Sequence, residues 1–351
     1  MYNETFTSPE ERIAAKLRTL YGMFGYMPYK MSKFEEYDLY ARNKEFLISD
    51  SIITFTDTDG RLMALKPDVT LSIIKNADTA GGRTTTKLFY SENVYRVSRG
   101  GTFREIMQTG LECIGNVDNY CLAEVLLLAA KSLAAVRDEY VLDVCQLDLL
   151  FRAVDLVSRD GAVQSALLRC AEEKNVHGIK ETAKNAGAPE TAAETLISLV
   201  ELYAKPDEAL PVIAKAAGKL GMTDEFDEFK KVIKALEGTD VYDNIRIDFS
   251  IVSDRNYYNG IAFKGYVKGV PERVLSGGQY DRLVEKLSKK GGAIGFAVYT
   301  DTLERLDGNS YQDEAERIVY RQGDEPGAVL AKAAELAAKG IKVRAEAAEN
   351  E

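Results

Sequence analysis

The 351-residue sequence contains a single histidine, no tryptophan, and four cysteines with no CxxC among them. One histidine, His177, excludes a multi-histidine metal site and weighs against a histidine-based triad. It sits beside Lys174 and Asn175 in a helix-rich stretch and reads as a surface residue near a helix end. Cys113, Cys121, Cys145 and Cys170 are 8, 24 and 25 residues apart, which matches neither zinc-ligand nor redox-pair spacing. Cys113 and Cys145 lie in apolar runs, where a thiol behaves as a small hydrophobe. No apolar run approaches the ~20 residues of a membrane span. Positive charge is in deficit, 45 Lys+Arg against 55 Asp+Glu for a net −10, so non-specific nucleic-acid binding is disfavoured. Neither GxxxxGK[ST] nor GxGxxG occurs, so no standard phosphate loop is present. The N-terminal MYNETFTSPEER is polar and acidic, unlike a signal peptide. These absences predict a soluble protein of a reducing, cytoplasmic setting, with no metal and no cofactor.

What is present is ordinary globular composition, 46% apolar and 28% charged, with length for about two domains. Ser8-Pro9-Glu10-Glu11 has the cap, proline and acidic first turn of a helix start. Residues 52–56 alternate as a strand, Asp57-Thr58-Asp59-Gly60 reads as a hairpin turn, and LKPDVT (65–70) runs from a partner strand into a helix. There Asp68 is either a helix cap or a ligand group beside free N–H groups. Asp118-Asn119 caps an apolar helix, and 141–147 is a short buried strand. Residues 149–240 are Ala- and Leu-rich with helical periodicity and read as an inserted helical module. Strand patterns return at 245, where Ile245, Ile247, Phe249 and Ile251 alternate with polar residues. Gly277-Gly278 reads as a tight turn between a strand and a helix. The tail, 315–346, reads as a βαβ unit.

The stretch 87–115 reads as strand, Arg99-Gly100-Gly101-Thr102 turn, strand. If the second run is extended, its side chains alternate faces: Arg104, Gln108 and Glu112 share one, and Met107, Leu111 and Cys113 the other. A cation, an amide and a carboxylate in a row, with Arg96 on the hairpin partner, are costly to bury without ligands or partners. They suit a small zwitterion. The same spacing also fits a solvated helix face; mid-run Gly110 and the Gly-Gly turn favour the strand.

These runs, in this order, resemble the histidyl-tRNA synthetase family of class II aminoacyl-tRNA synthetases, over roughly residues 5–306. The hairpin 87–115 is similar to the family's second signature motif and LKPDVT to its Arg-Pro-Glu-Gly-Thr segment. NYYNGIAF and SGGQYDRL resemble its Asp-Tyr-Tyr-Thr-Gly and Gly-Gly-Arg-Tyr-Asp motifs, and AIGFAVYTDTLERL its third class II motif. The resemblance implies an α+β fold: an antiparallel sheet flanked by helices, with a helical insertion and a short C-terminal βαβ stub. It implies a discontinuous core domain of residues 1–148 and 241–310, an insertion at 149–240, and an anticodon-domain-like remnant at 311–351. Carried over, a histidine-sized site comprises Asp68, Thr70, Arg96, Gln108, Glu112, Tyr257 and Tyr258. Glu112 and Asp68 would receive the amine, Gln108 and Tyr258 polar atoms, and Arg96 an anionic oxygen.

The departures fall at the ATP end. Ser253 stands where the family has its catalytic arginine, with Arg255 two positions on, and Ser98 replaces a glutamate that contacts adenine. The motif 2 loop is two residues shorter, with Thr102 near an expected arginine. Thr302 falls at the ATP-binding arginine of motif 3, with Arg305 one turn later. Activation of a carboxylate on ATP requires cations at the developing charge. Only some forty residues follow motif 3, short of an anticodon-binding domain. This combination resembles the regulatory subunits of ATP phosphoribosyltransferase, a synthetase paralogue family without catalytic activity of its own. The resemblance implies a homodimer, a hetero-oligomer with a short-form catalytic subunit in the first step of histidine biosynthesis, histidine as effector, and neither tRNA nor membrane as partner. The alternatives are a histidine-adenylating enzyme in which Arg255 and Arg305 substitute for the missing arginines, or a scaffold with a vestigial pocket.

Overall fold

The computed structural model describes residues 8–43, 52–77, 81–98, 100–252, 255, 257–305, 316–321 and 324–348. The chain divides into two compact units, residues 1–306 and 307–351. The first unit opens with helix Pro9–Met23. The Ser8 hydroxyl accepts the Glu11 N–H and the Glu11 carboxylate accepts the Ser8 N–H, a closed capping box.

Its strands in chain order are β1 (Met27–Pro28), β2 (Phe34–Glu36), β3 (Thr54–Thr56), β4 (Leu62–Leu65), β5 (Thr85–Val97), β6 (Phe103–Gly115) and β7 (Tyr140–Gln146). There follow β8 (Tyr203–Ala204), β9 (Ile245–Asp248), β10 (Asn259–Val267), β11 (Leu275–Gln279) and β12 (Gly292–Tyr299). Among the described residues, nine of these form one sheet in the order β1-β5-β6-β12-β11-β10-β7-β9-β8, and β2-β4-β3 form a second. The pairings from β5 through to β7 are all antiparallel. The long hairpin β5–β6 pairs Thr85 with Gly115 and Val97 with Phe103, so 103–115 is extended and its alternation is that of a strand.

One face of the sheet is apolar because helix Asn119–Val136 lies on it. The Asp118 carboxylate accepts the Cys121 N–H at its start, and Val125, Leu126, Ala129 and Leu133 are fully buried with Leu111, Cys113, Leu142 and Val144. This helix is long and apolar enough to cross a membrane by length and composition, but it is largely buried; its composition is accounted for by the core. The six helices from Leu147–Val157 to Thr223–Lys234 share that same core cluster, and they fall in the same compact unit as the sheet.

Gly277 and Gly278 are not in a turn. They lie inside β11, paired with Phe296 and Gly295 of β12. A Cβ on Gly277 would sit 2.4 Å from the Phe296 Cβ, and one on Gly278 would sit 2.7 Å from the Tyr258 ring. The glycines serve close approach, not chain reversal. Gly277→Ala is therefore expected to destabilise the first unit by about 1–3 kcal/mol, read as a lower urea midpoint with unchanged slope.

In the second unit, β13 (Glu316–Tyr320) and β14 (Val343–Ala347) run parallel, joined through helix Pro326–Ala338. This is the βαβ unit read from the sequence.

Candidate functional site

The sheet face opposite helix Asn119–Val136 is polar. The register places Gly295 of β12 beside Glu112 and Tyr299 beside Gln108, and Tyr90 of β5 beside Gly110. A side chain on Gly110 would collide with the Tyr90 hydroxyl at 2.6 Å, and one on Gly295 with the Glu112 carboxylate at 1.7 Å. The glycines thus open a hollow in the sheet, and large polar side chains fill its rim. The segment Lys66–Thr70 closes one side. Tyr95 N–H donates to the Lys66 carbonyl at 2.9 Å and Arg96 Nε to the Pro67 carbonyl at 3.2 Å, while the buried Lys66 ammonium pairs with Glu92. Asn259 and Asp281 close the other side. Asn259 Nδ2 donates to Asp281 Oδ2 at 2.8 Å and Asp281 N–H donates back to Asn259 Oδ1 at 2.9 Å. That exchange fastens the segment 257–260 to the start of helix Asp281–Lys286.

The resulting pocket brings together six of the seven predicted residues: Asp68, Thr70, Gln108, Glu112, Tyr257 and Tyr258. Tyr90, Ser276, Tyr280 and Tyr299 complete its polar lining. These four were missed. Ser276 and Tyr280 belong to the SGGQYDRL motif and so had a signal, but nothing in the residue pattern distinguishes Tyr90 and Tyr299 from core tyrosines. Arg96 lies instead in an adjoining cleft of ≈ 570 Å³, with Arg104, Tyr266, Glu272, Arg273 and Asp301, and Tyr299 is common to both spaces. Arg104, predicted on the face of Gln108 and Glu112, points into this cleft 3.8 Å from Asp301. The pocket itself is nearly closed, with ≈ 30 Å³ of free space.

Glu112 is the chemical centre. It is 2% exposed; Thr70 Oγ1 donates to its Oε1 at 2.8 Å and the Tyr280 hydroxyl donates to its Oε2. Burial outweighs these bonds and raises its pKa to about 8, with the nearby Asp68 charge adding to the rise. Asp68 is also raised, by burial against the opposing Leu71 N–H and the Arg96 guanidinium. Its Oδ1 accepts that Leu71 N–H at 3.0 Å. Asp68 thus ties down the first turn of helix Thr70–Asn76 and also lines the pocket. Tyr257 and Tyr258 pack against each other, ring centroids 4.5 Å apart, and Tyr257 against Tyr280 at 6.2 Å. An acidic, hydroxyl-rich hollow under tyrosines can take a small cationic or imidazole-like group. Among the described residues no cluster of His, Cys, Asp and Glu fits a metal ion.

A histidyl-tRNA synthetase family model matches residues 3–303. The ATP phosphoribosyltransferase regulatory subunit of Caldanaerobacter subterraneus subsp. tengcongensis is 31% identical over 302 residues, 83% of this chain and 78% of the relative. The chain belongs to the histidyl-tRNA synthetase-like family of ATP phosphoribosyltransferase regulatory subunits. The regulatory subunit of Bacillus thuringiensis (strain Al Hakam) is 27% identical over 301 residues, 84% of this chain and 71% of the relative. Among solved structures, an ATP phosphoribosyltransferase regulatory subunit/histidyl-tRNA synthetase from Bacillus halodurans superposes with TM-score 0.79 at 23% identity, covering 97% of this chain and 88% of that one. Histidyl-tRNA synthetase from Nostoc sp. PCC 7120 gives 0.76 at 18%, covering 100% and 86%. The ATP phosphoribosyl transferase (HisG:HisZ) complex from Thermotoga maritima gives 0.62 at 17%, covering 82% and 96%. These three likenesses establish the class II synthetase-like fold.

Against that family, the positions of the departures acquire geometry. Ser98 and Thr102 hydrogen-bond each other at 2.6 Å across the hairpin tip. Thr302 Oγ1 donates to the Tyr299 carbonyl at 2.7 Å at the edge of the cleft. Arg255, the candidate substitute for the missing arginine, is held elsewhere: its guanidinium makes two 2.8 Å bonds to Asp155 and lies 4.9 Å from the Phe151 ring. Ser253, Asp254, Asn256 and Arg99 lie outside the described residues, as does the side chain of Arg305. His177 is exposed near the start of helix Val176–Asn185, and all four cysteines are buried free thiols.

Proposed function

We propose that this chain is the non-catalytic, histidine-sensing subunit of an ATP phosphoribosyltransferase complex, acting as a homodimer with a short-form catalytic subunit in the first step of histidine biosynthesis. The observation that carries this reading is the convergence of Asp68, Thr70, Gln108, Glu112, Tyr257 and Tyr258 in one pocket while Arg255 is bound to Asp155. Relatives named as regulatory subunits, and the HisG:HisZ complex among similar folds, support it. The C-terminal βαβ unit is taken as anticodon-binding-domain-like.

In this mechanism Glu112 and Asp68 receive the ligand's cationic nitrogens, Gln108, Thr70 and the tyrosines its remaining polar atoms, and Arg96 an anionic oxygen. One Arg96 nitrogen, Nη2, is buried without a hydrogen-bond partner, a donor waiting for an acceptor. The free space in the pocket holds a water but not an imidazole, so entry of histidine displaces Tyr257, Tyr258 or Tyr280. Through Asn259–Asp281 that movement is linked to β10 and helix Asp281–Lys286. A ligand preferring the opened arrangement shifts the equilibrium by its differential affinity.

Calorimetric titration of the full chain with histidine, alone and with ATP–Mg, tests this. The expected result is histidine binding that ATP does not alter, no ATP–pyrophosphate exchange, and phosphoribosyltransferase activity that appears only on mixing with the catalytic subunit and is inhibited by histidine. Because Glu112 sits near pH 8 and must ionise against a cation, binding at pH 7 should release a proton, seen as a heat that varies with buffer. Exchange activity would establish the adenylating enzyme instead. Absence of histidine binding with and without the catalytic subunit would leave the scaffold.

A further inference from the structure

We propose that Arg273, which no motif of the sequence singles out, is the second cation of the seat for the ligand carboxylate. The inference rests on the histidine-sensing reading. The pocket under the tyrosines is lined by two carboxylates, an amide and hydroxyls, and by no lysine or arginine. An amino acid bound there with its nitrogens on Glu112 and Asp68 leaves its carboxylate without a counter-charge inside the pocket. It must point out past Tyr299, the side chain shared with the adjoining cleft.

Three guanidinium groups line that cleft. Arg104 already has Asp301 at 3.8 Å. Arg96 holds the Pro67 carbonyl and lends its charge to Asp68. Arg273, in the loop between β10 and β11, forms no ion pair among the described residues, and its guanidinium stands 6.0 Å from the centre of the Tyr299 ring. Its charge also reaches into the pocket, acting on the Tyr258 hydroxyl. Arg96 and Arg273 thus flank the mouth from the β5 side and the β11 side. A planar carboxylate leaving the pocket over Tyr299 meets both, one oxygen to each, in the charge-assisted geometry that arginine favours. Glu272 and Asp301 on the cleft rim then select against a second anionic group on the ligand, so the site takes a monocarboxylate zwitterion.

The test is calorimetry of the full chain and of Arg273→Ala with two ligands, histidine and histamine, the latter lacking the carboxylate. Arg273→Ala is expected to weaken histidine binding about 10- to 100-fold, the usual range for losing one charged hydrogen bond, and to leave histamine binding unchanged. Arg273→Lys should recover part of the histidine affinity. Arg273 is exposed on a loop, so the melting temperature should not move. Equal loss for both ligands, or no loss for histidine, would overturn the role of Arg273 while leaving the sensing reading intact. A parent chain that binds histidine neither alone nor with the catalytic subunit would remove the sensing reading, and this inference with it.

Discussion

Glu112→Gln is expected to lower histidine affinity about 100-fold or more while leaving the unliganded protein at least as stable as its parent above pH 7. The two effects have one cause. Glu112 is fully enclosed, and its carboxyl keeps its proton up to about pH 8 in the folded chain against an ordinary 4.5. Between those values the unfolded chain has released a proton that the folded chain retains. The stability associated with the neutral carboxyl is therefore fully present below pH 4.5 and is lost as pH rises towards 8. The slope is up to about 1.4 kcal/mol per pH unit. Glutamine keeps the shape and one acceptor for Thr70 or Tyr280 but cannot ionise, so the difference in stability between variant and parent should shift in the variant's favour from pH 5 to 8. A ligand cation loses its buried counter-charge, and that contact is worth about 2–5 kcal/mol when one partner of a buried pair is removed. Thermal melts across this pH range, paired with calorimetry at pH 7.5, read both effects. Parallel stability curves, or unchanged affinity, would remove Glu112 from the centre of the site.

Gly295→Ala is the second change with a large expected effect, and it acts on the same carboxylate through packing. Its Cβ would lie 1.7 Å from Glu112 Oε2 and 2.5 Å from the Leu111 carbonyl. The carboxylate must leave its place between Thr70 and Tyr280, and β12 must move away from β6. Overpacking of this kind costs about 1–3 kcal/mol, so the chain should still fold, with a lowered melting temperature and no detectable histidine binding. Binding at parental affinity would mean that ligand and Glu112 do not share this hollow. Comparing the two variants separates the contributions: Glu112→Gln removes charge at constant shape, and Gly295→Ala removes shape at constant charge.

Much of the fold was legible because its signals are local. The Ser8 cap with Glu11, the Asp118 cap, and the alternation of Gln108 and Glu112 against Leu111 and Cys113 each depend on a few neighbouring residues, and each is present in the structure. Gly277-Gly278 was not legible as strand. A glycine pair is compatible with a turn by backbone freedom alone, whereas here the requirement is imposed by Phe296 and Tyr258, distant in sequence. Tyr90 and Tyr299 were missed for a similar reason: an aromatic residue in a strand reads as core until its cross-strand neighbour, here Gly110 for Tyr90 and Gln108 for Tyr299, is known. Arg255 could be placed near Tyr257 by sequence, but its direction was set by Asp155, a hundred residues earlier.

By itself the sequence determined which side chains share a strand face, where the helices begin, and that the cations expected for ATP at several motif positions are absent. These are matters of period, capping and residue type. Only the tertiary structure decided that Asp68, Glu112, Tyr258 and Tyr280 converge, that Arg96 and Arg273 line the adjoining cleft, and that burial raises the pKa of Glu112. Charge state depends on desolvation, and desolvation depends on what β5, β12, helix Thr70–Asn76 and the Tyr257–Tyr258 segment jointly place around one carboxyl group.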